Sequence, residues 1–379
     1  MRWRNLKAIA MSSVILGFAT AVGASYERVE RSVTLDEAIP GEMPLGFENL
    51  IGSITLRGGG DAGRVKVEAQ VIAEGETEEQ AKELADTIRL DRRDADGRAL
   101  IHVAYPVDSY TAFRMPREET DNPISRWVGP LLKKFGNNTV ATVYDGHAVE
   151  LGQSKGAMGL AVHLTITVPH DVHASMRQFM GSVECDLLRG DLEIENVEGH
   201  VDLGRLYGTL KARTGGGDLS ILTFKGDRAT IQSASGTLEV VDVAAGELHL
   251  KTTSGTIQGH SIKTDAMNVE ADSGGVELAQ VDTRRFSVNT GSGDVDLDAL
   301  LQRTREASIR SVSGDVTLRV GRLAPFDLAA RTGSGSVKAQ DGSFAVEQSQ
   351  KAEATVRRGT GGAEVEVTSE SGSVVLKAD

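Results

Sequence analysis

The stretch that decides the fold is RFSVNTGSGDVDLDAL, Arg285 to Leu300, read beside ASIRSVSGDVTLRV, Ala307 to Val320. Both write Ser-Gly-Asp-Val-x-Leu after a short alternating apolar run. Working outward, every tight glycine turn followed by an aliphatic alternation falls on one series: Gly181, Gly199, Gly217, Gly236, Gly255, Gly274, Gly293, Gly314, Gly335 and Gly372. The steps are 18, 18, 19, 19, 19, 19, 21, 21 and 37 residues, a regularity that marks a repeat architecture.

Each repeat carries two strand patterns around its turn. Two residues after each glycine stand Val183, Val201, Leu219, Leu238, Ile257, Val276, Val295, Val316, Val337 and Val374; four after stand Cys185, Leu203, Ile221, Val240, Gly259, Leu278, Leu297, Leu318, Ala339 and Leu376. Polar residues separate them, so one face is buried and the other faces water. The strand before the turn alternates likewise, as Leu248, Leu250 and Thr252 do against His249 and Lys251. Glycine suits the corner because it tolerates positive φ, and serine can bond a neighbouring backbone group. One repeat buries too few aliphatic side chains to offset the entropy of ordering it, whereas stacked repeats share ladder bonds and one aliphatic column.

The expected fold is therefore all-β: a parallel β-solenoid, or β-helix-like stack, of two-strand coils 18–21 residues long over 164–379. Hairpins in a β-sandwich are the alternative, against which the uniform period argues. The stretch from Asp341 to Asp379 reads as an excursion or hairpin followed by a final coil, an insertion able to cap the end of the stack. Residues 25–163 form a small N-terminal α+β part. GFENLIGSITLRGG (Gly46 to Gly59) resembles one coil, and TEEQAKELADTIRL (Thr77 to Leu90) is a helix capped by Thr77, with Ala81, Leu84, Ala85 and Ile88 on one face. The pattern is lost at about 107–156, read as an inserted loop with a short amphipathic helix around Ile124–Phe135.

Residues 1–24 read as an export signal: Arg2, Arg4 and Lys7 precede an apolar run that ends in small residues at Ala24. An uncleaved anchor is the other reading. The expected address is the periplasm, cell envelope or exterior. A net charge of -13 makes nucleic acid or an anionic lipid surface a poor partner, and membrane contact is expected only through an uncleaved signal or the inserted loop. With aromatics at 4% and 43 glycines, thin cores and tight turns are expected. The single cysteine, Cys185, sits in an inward column and reads as a small buried hydrophobe.

The chain resembles a bacterial family known as putative adhesins, also catalogued as a β-strand-repeat domain of unknown function. The resemblance rests on the alternating strand VHLTITVPHDVHASM, on T/S-x-S-G-x-V-x-L corners at Ser233–Val240, Thr252–Ile257, Thr290–Leu297, Ser311–Leu318 and Thr332–Val337, and on the closing GTGGAEVEVTSESGSVVL. It extends over Gly46–Asp379, with 107–156 departing from it. It implies the repeat fold and an adhesin-like role, and names no ligand.

No chemistry-bearing motif stands out. A column of Glu184, Asp202, Glu239, Glu277 and Asp296 is interrupted by Ser220 and Gln258, which favours a solvated face over a catalytic cluster. His170 and His173 lack a third protein ligand for zinc. No catalytic residue, metal or cofactor is therefore expected. Two surfaces are candidates for binding. One is a polar ladder ahead of the corner, with Arg213, Lys251, Arg310 and Arg331 as its basic members, which suits an extended polymer. The other is the inserted loop with Trp127, Leu131, Leu132 and Phe135, a candidate partner contact. The leading expectation is an exported, non-enzymatic envelope protein, an adhesin-like binding or scaffolding module whose partner is a glycan or an envelope protein. A carbohydrate-active lyase or hydrolase on a β-helix is the alternative, and a structural spacer a third reading.

Overall fold

The computed structural model describes residues 14–15, 26–39, 43–95, 97–117, 139–154, 156–321, 324–340, 345–350 and 352–378. Two compact units divide at His200/Val201. The loop residues Trp127, Leu131, Leu132 and Phe135, and the helix expected around them, lie outside the described residues.

The first unit is built on two bent strands, β3 (Leu45–Gly58) and β11 (Ala174–Asp186), parallel and in register from Leu45↔Ala174 to Arg57↔Asp186. Each turns a corner at a glycine, Gly52 and Gly181. Beyond the corner, β3 pairs in parallel with β10 (Met158–Val168), which runs antiparallel to β4 (Arg64–Gly75), itself antiparallel to β2 (Glu27–Ala38). Before the corner, β3 pairs in parallel with β6 (Arg98–Ala104), joined to the antiparallel β5 (Arg89–Ala95), while β11 pairs in parallel with β12 (Leu188–Glu198). The segment Gly46–Gly59 is thus a coil strand, as its sequence suggests. Helix α1 (Glu78–Thr87) is capped by Thr77, whose hydroxyl accepts from the Gln80 N–H at 3.3 Å. It buries Ala81, Leu84 and Ala85, and Arg31 of β2 donates to the Ala85 and Ile88 carbonyls at its C-terminus.

Three short strands run within the stretch read as an inserted loop. Ala112–Arg114 (β7), Val140–Tyr144 (β8) and His147–Leu151 (β9) are paired, with Phe113, Tyr144 and Leu151 buried. Burying these large side chains is what holds the segment in place. Asp145-Gly146 is the two-residue turn of the β8–β9 hairpin, at φ 48° and 81°, as a primed turn requires.

The second unit is the solenoid. Four 16- or 17-residue stretches, Val201–Gly216, Leu219–Ser235, Leu238–Ser254 and Ile257–Ser273, and then Val276–Ser292, stack in parallel, with ladder partners 18 or 19 residues apart. Within Leu238–Ser254 the buried residues are Leu238 and Val240, then Val243 and Ala245, then Leu248, Leu250 and Thr252. Alternation breaks by one residue at two bends, so the coil has three inward-facing segments, one more than the two strand patterns legible around each glycine. The extra bend uses a left-handed residue that is not glycine: Asp242 (φ 45°), Ser261 (φ 56°) and Gln280 (φ 54°).

At the glycine corner the deciding constraint is distance. A Cβ on Gly236, Gly255, Gly274, Gly293 or Gly314 would stand 1.9–2.3 Å from the carbonyl oxygen of the glycine one coil earlier. Gly255 obeys this although its φ lies outside the left-handed region, so close backbone stacking, more than positive φ, demands glycine. Three residues before several of these glycines a buried hydroxyl serves the corner carbonyls: Thr214 donates to Gly216 O at 3.0 Å, Ser233 to Ser235 O at 2.7 Å and Thr332 to Gly372 O at 2.6 Å.

The end of the stack departs from sequence order. Glu306–Ser313 (β19) and Val316–Val320 (β20) pair with Ala363–Ser371 (β25) and Val374–Ala378 (β26), which pair in turn with Phe326–Thr332 (β21) and Val337–Gln340 (β22). The coil expected to be final is inserted between the two before it. The expected hairpin is present as Ala345–Gln350 (β23) and Glu353–Arg358 (β24), and β24 lies antiparallel along β21, covering its outer edge.

Candidate functional site

The face ahead of the glycine corner presents three outward columns in the solenoid unit. One holds Arg228, Glu247, Ala266, Arg285 and Glu306; the next Thr230, His249, Asn268, Ser287 and Ser308; the third Arg213, Gln232, Lys251, Glu270, Asn289, Arg310, Thr368 and Arg331. All four basic residues of the expected ladder therefore share one column. Each is paired along the stack. Arg213 donates to Gln232 Oε1 at 3.0 Å, Lys251 meets Glu270 at 2.9 Å, Arg310 meets Glu366 at 3.9 Å and Arg331 meets Glu353 at 2.9 Å. The Lys251 ammonium, with Asn268 beside it, holds the Glu270 carboxyl below the usual carboxylate range, and Glu270 raises Lys251 in return. Such exposed pairs contribute little stability; three of them offset a charge with a carboxylate, and all four hold their side chains along the stack.

Across the coils of Arg228, Glu247 and Ala266 the surface dips into a shallow concavity of about 500 Å³. Its rim is Arg228, Glu247, Thr230, Gln232, His249 and Asn268, and its floor includes Leu248 and Met267. The dip falls where the column steps from the Arg228–Glu247 ion pair, 2.7 Å, to the Ala266 methyl. Asn268 bonds His249 at 3.2 Å and Glu270 at 2.9 Å, so the rim is a connected set of amide, imidazole and carboxylate groups. It offers hydrogen bonds repeated at the ~4.8 Å strand spacing.

The acidic column of the strand after the corner stays spread. Asp202, Ser220, Glu239, Gln258, Glu277 and Asp296 follow one another in register, with Ser220 bonded to Asp202 at 2.7 Å and Gln258 to Glu277 at 3.3 Å. Glu184 lies in the first unit opposite Thr55. His170 bonds the Leu187 carbonyl and His173 pairs with Asp191, so the two do not converge. Among the described residues no three His, Cys, Asp or Glu side chains gather as metal ligands would. Cys185 is buried and its thiol is pushed up to about 12, by burial first and then by Asp186.

In the first unit Ser53 Oγ lies 2.9 Å from His163 Nδ1, the arrangement of a nucleophile and its base. Burial pushes His163 down to about 4, helped by Arg28, which leaves it a weak base near neutrality. The nearby Glu30 carboxylate accepts from Arg28 and Gln70 instead of orienting the imidazole.

Sequence reading missed a buried cluster in the same unit. His102, 1% exposed, faces Glu48 with Nδ1 at 3.0 Å and Asp145 with Nε2 at 2.7 Å, and stacks on Tyr144 with ring centroids 4.9 Å apart. Arg93 pairs with Asp145 at 2.7 Å and Arg177 approaches Glu48 at 3.5 Å. Burial would raise the Asp145 carboxyl, but its bonds to Arg93 and His102 prevail and hold it below the usual range. The cluster ties the tip of the β8–β9 hairpin to β3, β5 and β6, and the Asp-Gly pair between two alternating runs was its signal.

The Toastrack DUF4097 family model matches residues 161–377, more than half of the chain. No curated protein matches. Among solved structures, one described as a "putative lipid binding protein" from Parabacteroides distasonis is 11% identical, covering 91% of this chain and 96% of that one at a TM-score of 0.37. A "putative adhesin" from Bacteroides fragilis is 12% identical, covering 92% and 97% at 0.32. A "putative cell adhesion protein" from Clostridium sporogenes is 9% identical, covering 91% and 99% at 0.19.

Proposed function

Because the chain belongs to the Toastrack DUF4097 family, we propose that it is an exported, non-enzymatic β-solenoid module of the cell envelope that binds an extended partner along its ladder face. The observation that carries this reading is the column from Arg213 to Arg331, whose members follow one another in a single register along the stack with each basic side chain held by a polar or acidic neighbour. A catalytic site needs a poised acid or base converging on one point; here polar groups repeat at the pitch of the strands. Repetition along a line suits a polymer with its own repeat, such as a glycan with hydroxyl groups for the amide, imidazole and carboxylate groups of the rim. Export is inferred from the basic, apolar and small-residue pattern of residues 1–24.

The test is a pull-down with residues 25–379 on immobilised extended glycans and on native envelope extract. Beside it runs a variant carrying Arg213→Ser, Lys251→Ser, Arg310→Ser and Arg331→Ser. Glycan retention by the parent and its loss in the variant support the reading. Equal retention by both places the contact elsewhere. Capture of a protein that vanishes when 118–138 is deleted moves the contact to Trp127, Leu131, Leu132 and Phe135, and no capture at all leaves the spacer.

A further inference from the structure

The inserted coil lies in a slot that the sequence can also close. Gly293, Gly314 and Gly335 follow one another at equal steps of 21 residues, the spacing of coils stacked directly. In the structure Gly372 stands between the last two: a Cβ on Gly372 would meet Gly314 O at 2.1 Å, and one on Gly335 would meet Gly372 O at 2.1 Å. The columns are the same on both sides of the slot. Val316, Val374 and Val337 align, as do Ser311, Ser369 and Thr332, and Ile309, Val367 and Ala330. Removing the inserted coil would let β19–β20 meet β21–β22 with glycine on glycine and hydroxyl on hydroxyl. The empty slot therefore has a low-cost way to satisfy its ladder bonds, and the two arrangements compete.

The occupant is recognised by its own repeat. Ser369 donates to Gly314 O at 3.2 Å, the Ser373 N–H donates to Asp315 Oδ1 at 2.7 Å, and only glycine fits at 372. The connector into the coil, Gly359-Thr360-Gly361-Gly362, has three glycines at φ 73°, 69° and 128°, and a Cβ on Gly361 would meet nothing. Gly362 packs against the Pro325 backbone, where a Cβ would meet Pro325 O at 2.1 Å, so the freedom to redirect the segment lies at Gly361, before that contact.

We propose that the slot is a self-recognition site, and that the coil Ala363–Ala378 of a second copy of this chain occupies it, giving an exchanged assembly. The exchanged state has the same ladder bonds and columns as the closed monomer, so concentration and the strain of the connector set the balance. This proposal is independent of the glycan reading, because the slot lies between coils and the ladder is their outer face.

The test uses full-length protein with one new thiol per chain. Ser308 and Glu366 are ladder partners across the slot and both point outward. Ser308→Cys and Glu366→Cys proteins are mixed, held long enough for the coil to open, and oxidised. A control mixture pairs Ser308→Cys with Glu239→Cys. Cys185, buried, stays silent. The double variant, oxidised when dilute, must close within one chain, which shows that the two positions can bridge. Exchange predicts a disulfide-linked heterodimer about tenfold above the control, rising with protein concentration. A mixture that stays at the control level while the double variant closes overturns the proposal.

Discussion

Substituting Gly255→Ala separates two reasons for a glycine at the corner that recurs along one chain. If glycine were needed only for positive φ, alanine would be harmless here, since Gly255 lies outside the left-handed region. The stacking argument predicts the opposite. The new Cβ would stand 2.0 Å from Gly236 O and 3.0 Å from Gly236 C, whereas a carbon–oxygen contact needs about 3.3 Å or more. The corner must open by more than about 1 Å. Opening it strains the ladder bond across this gap, Leu238 N–H to Thr256 O at 2.9 Å, while Gly255 N–H to Ser273 O and Ile257 N–H to Gly275 O, both 3.0 Å, tie the corner to the next coil and resist its displacement. Losing the bond across the gap at ~1 kcal/mol, with ~1–3 kcal/mol of overpacking strain, destabilises the solenoid unit by about 2–4 kcal/mol. Urea unfolding followed by far-UV circular dichroism reads this as a lowered midpoint. Gly361→Ala is the control, with open space around it and only its φ of 69° to accommodate, at about 1–2 kcal/mol. A Gly255→Ala protein within about 0.5 kcal/mol of the parent, or milder than Gly361→Ala, would refute the stacking argument.

Other outcomes follow from single groups. Thr252 Oγ1 is buried without a partner, so Thr252→Val should be neutral or stabilising by up to ~1 kcal/mol, whereas Thr332→Val, which removes the 2.6 Å bond to Gly372 O, should cost about 1–2 kcal/mol by the same urea assay. His163, pushed down to about 4, binds fewer protons folded than unfolded; stability should fall as pH drops from about 6.5 to 4 and level off below. An imidazole NMR titration showing protonation at pH 6, or an unchanged slope in His163→Gln, contradicts this. Asp145, held below its ordinary value, contributes stability that is present above about pH 4 and lost as pH falls through its folded pKa, so Asp145→Asn should flatten that acid limb. Cys185 should resist a thiol reagent at pH 8 in the native protein and react fully once unfolded; rapid native labelling would show the site is open.

The solenoid was legible because its signals are local. Val276 and Leu278 alternate with Glu277 whatever the rest of the chain does, and the 19-residue step to Val295 and Leu297 repeats that alternation. The ladder residues were legible for the same reason, as a fixed offset before each glycine. Helix α1 announced itself through Thr77 and the apolar spacing of Ala81, Leu84 and Ala85. The third bend of the coil was not legible, since Asp242, Ser261 and Gln280 share a backbone conformation and no residue type. Nor was the His102 cluster, whose members come from five separate strands and a turn.

By itself, then, the sequence determined the repeat, its inward faces and the glycine column, because each depends on residues a few positions apart and on a period that every coil carries. Tertiary structure alone decided which coil lies next to which at the end of the stack. Gly335 and Gly372 present the same column to Gly314, so local pattern cannot rank them. The choice belongs to the whole end of the unit, where β24 runs antiparallel along β21 and leaves Ala363–Ala378 to fill the space between β21–β22 and β19–β20.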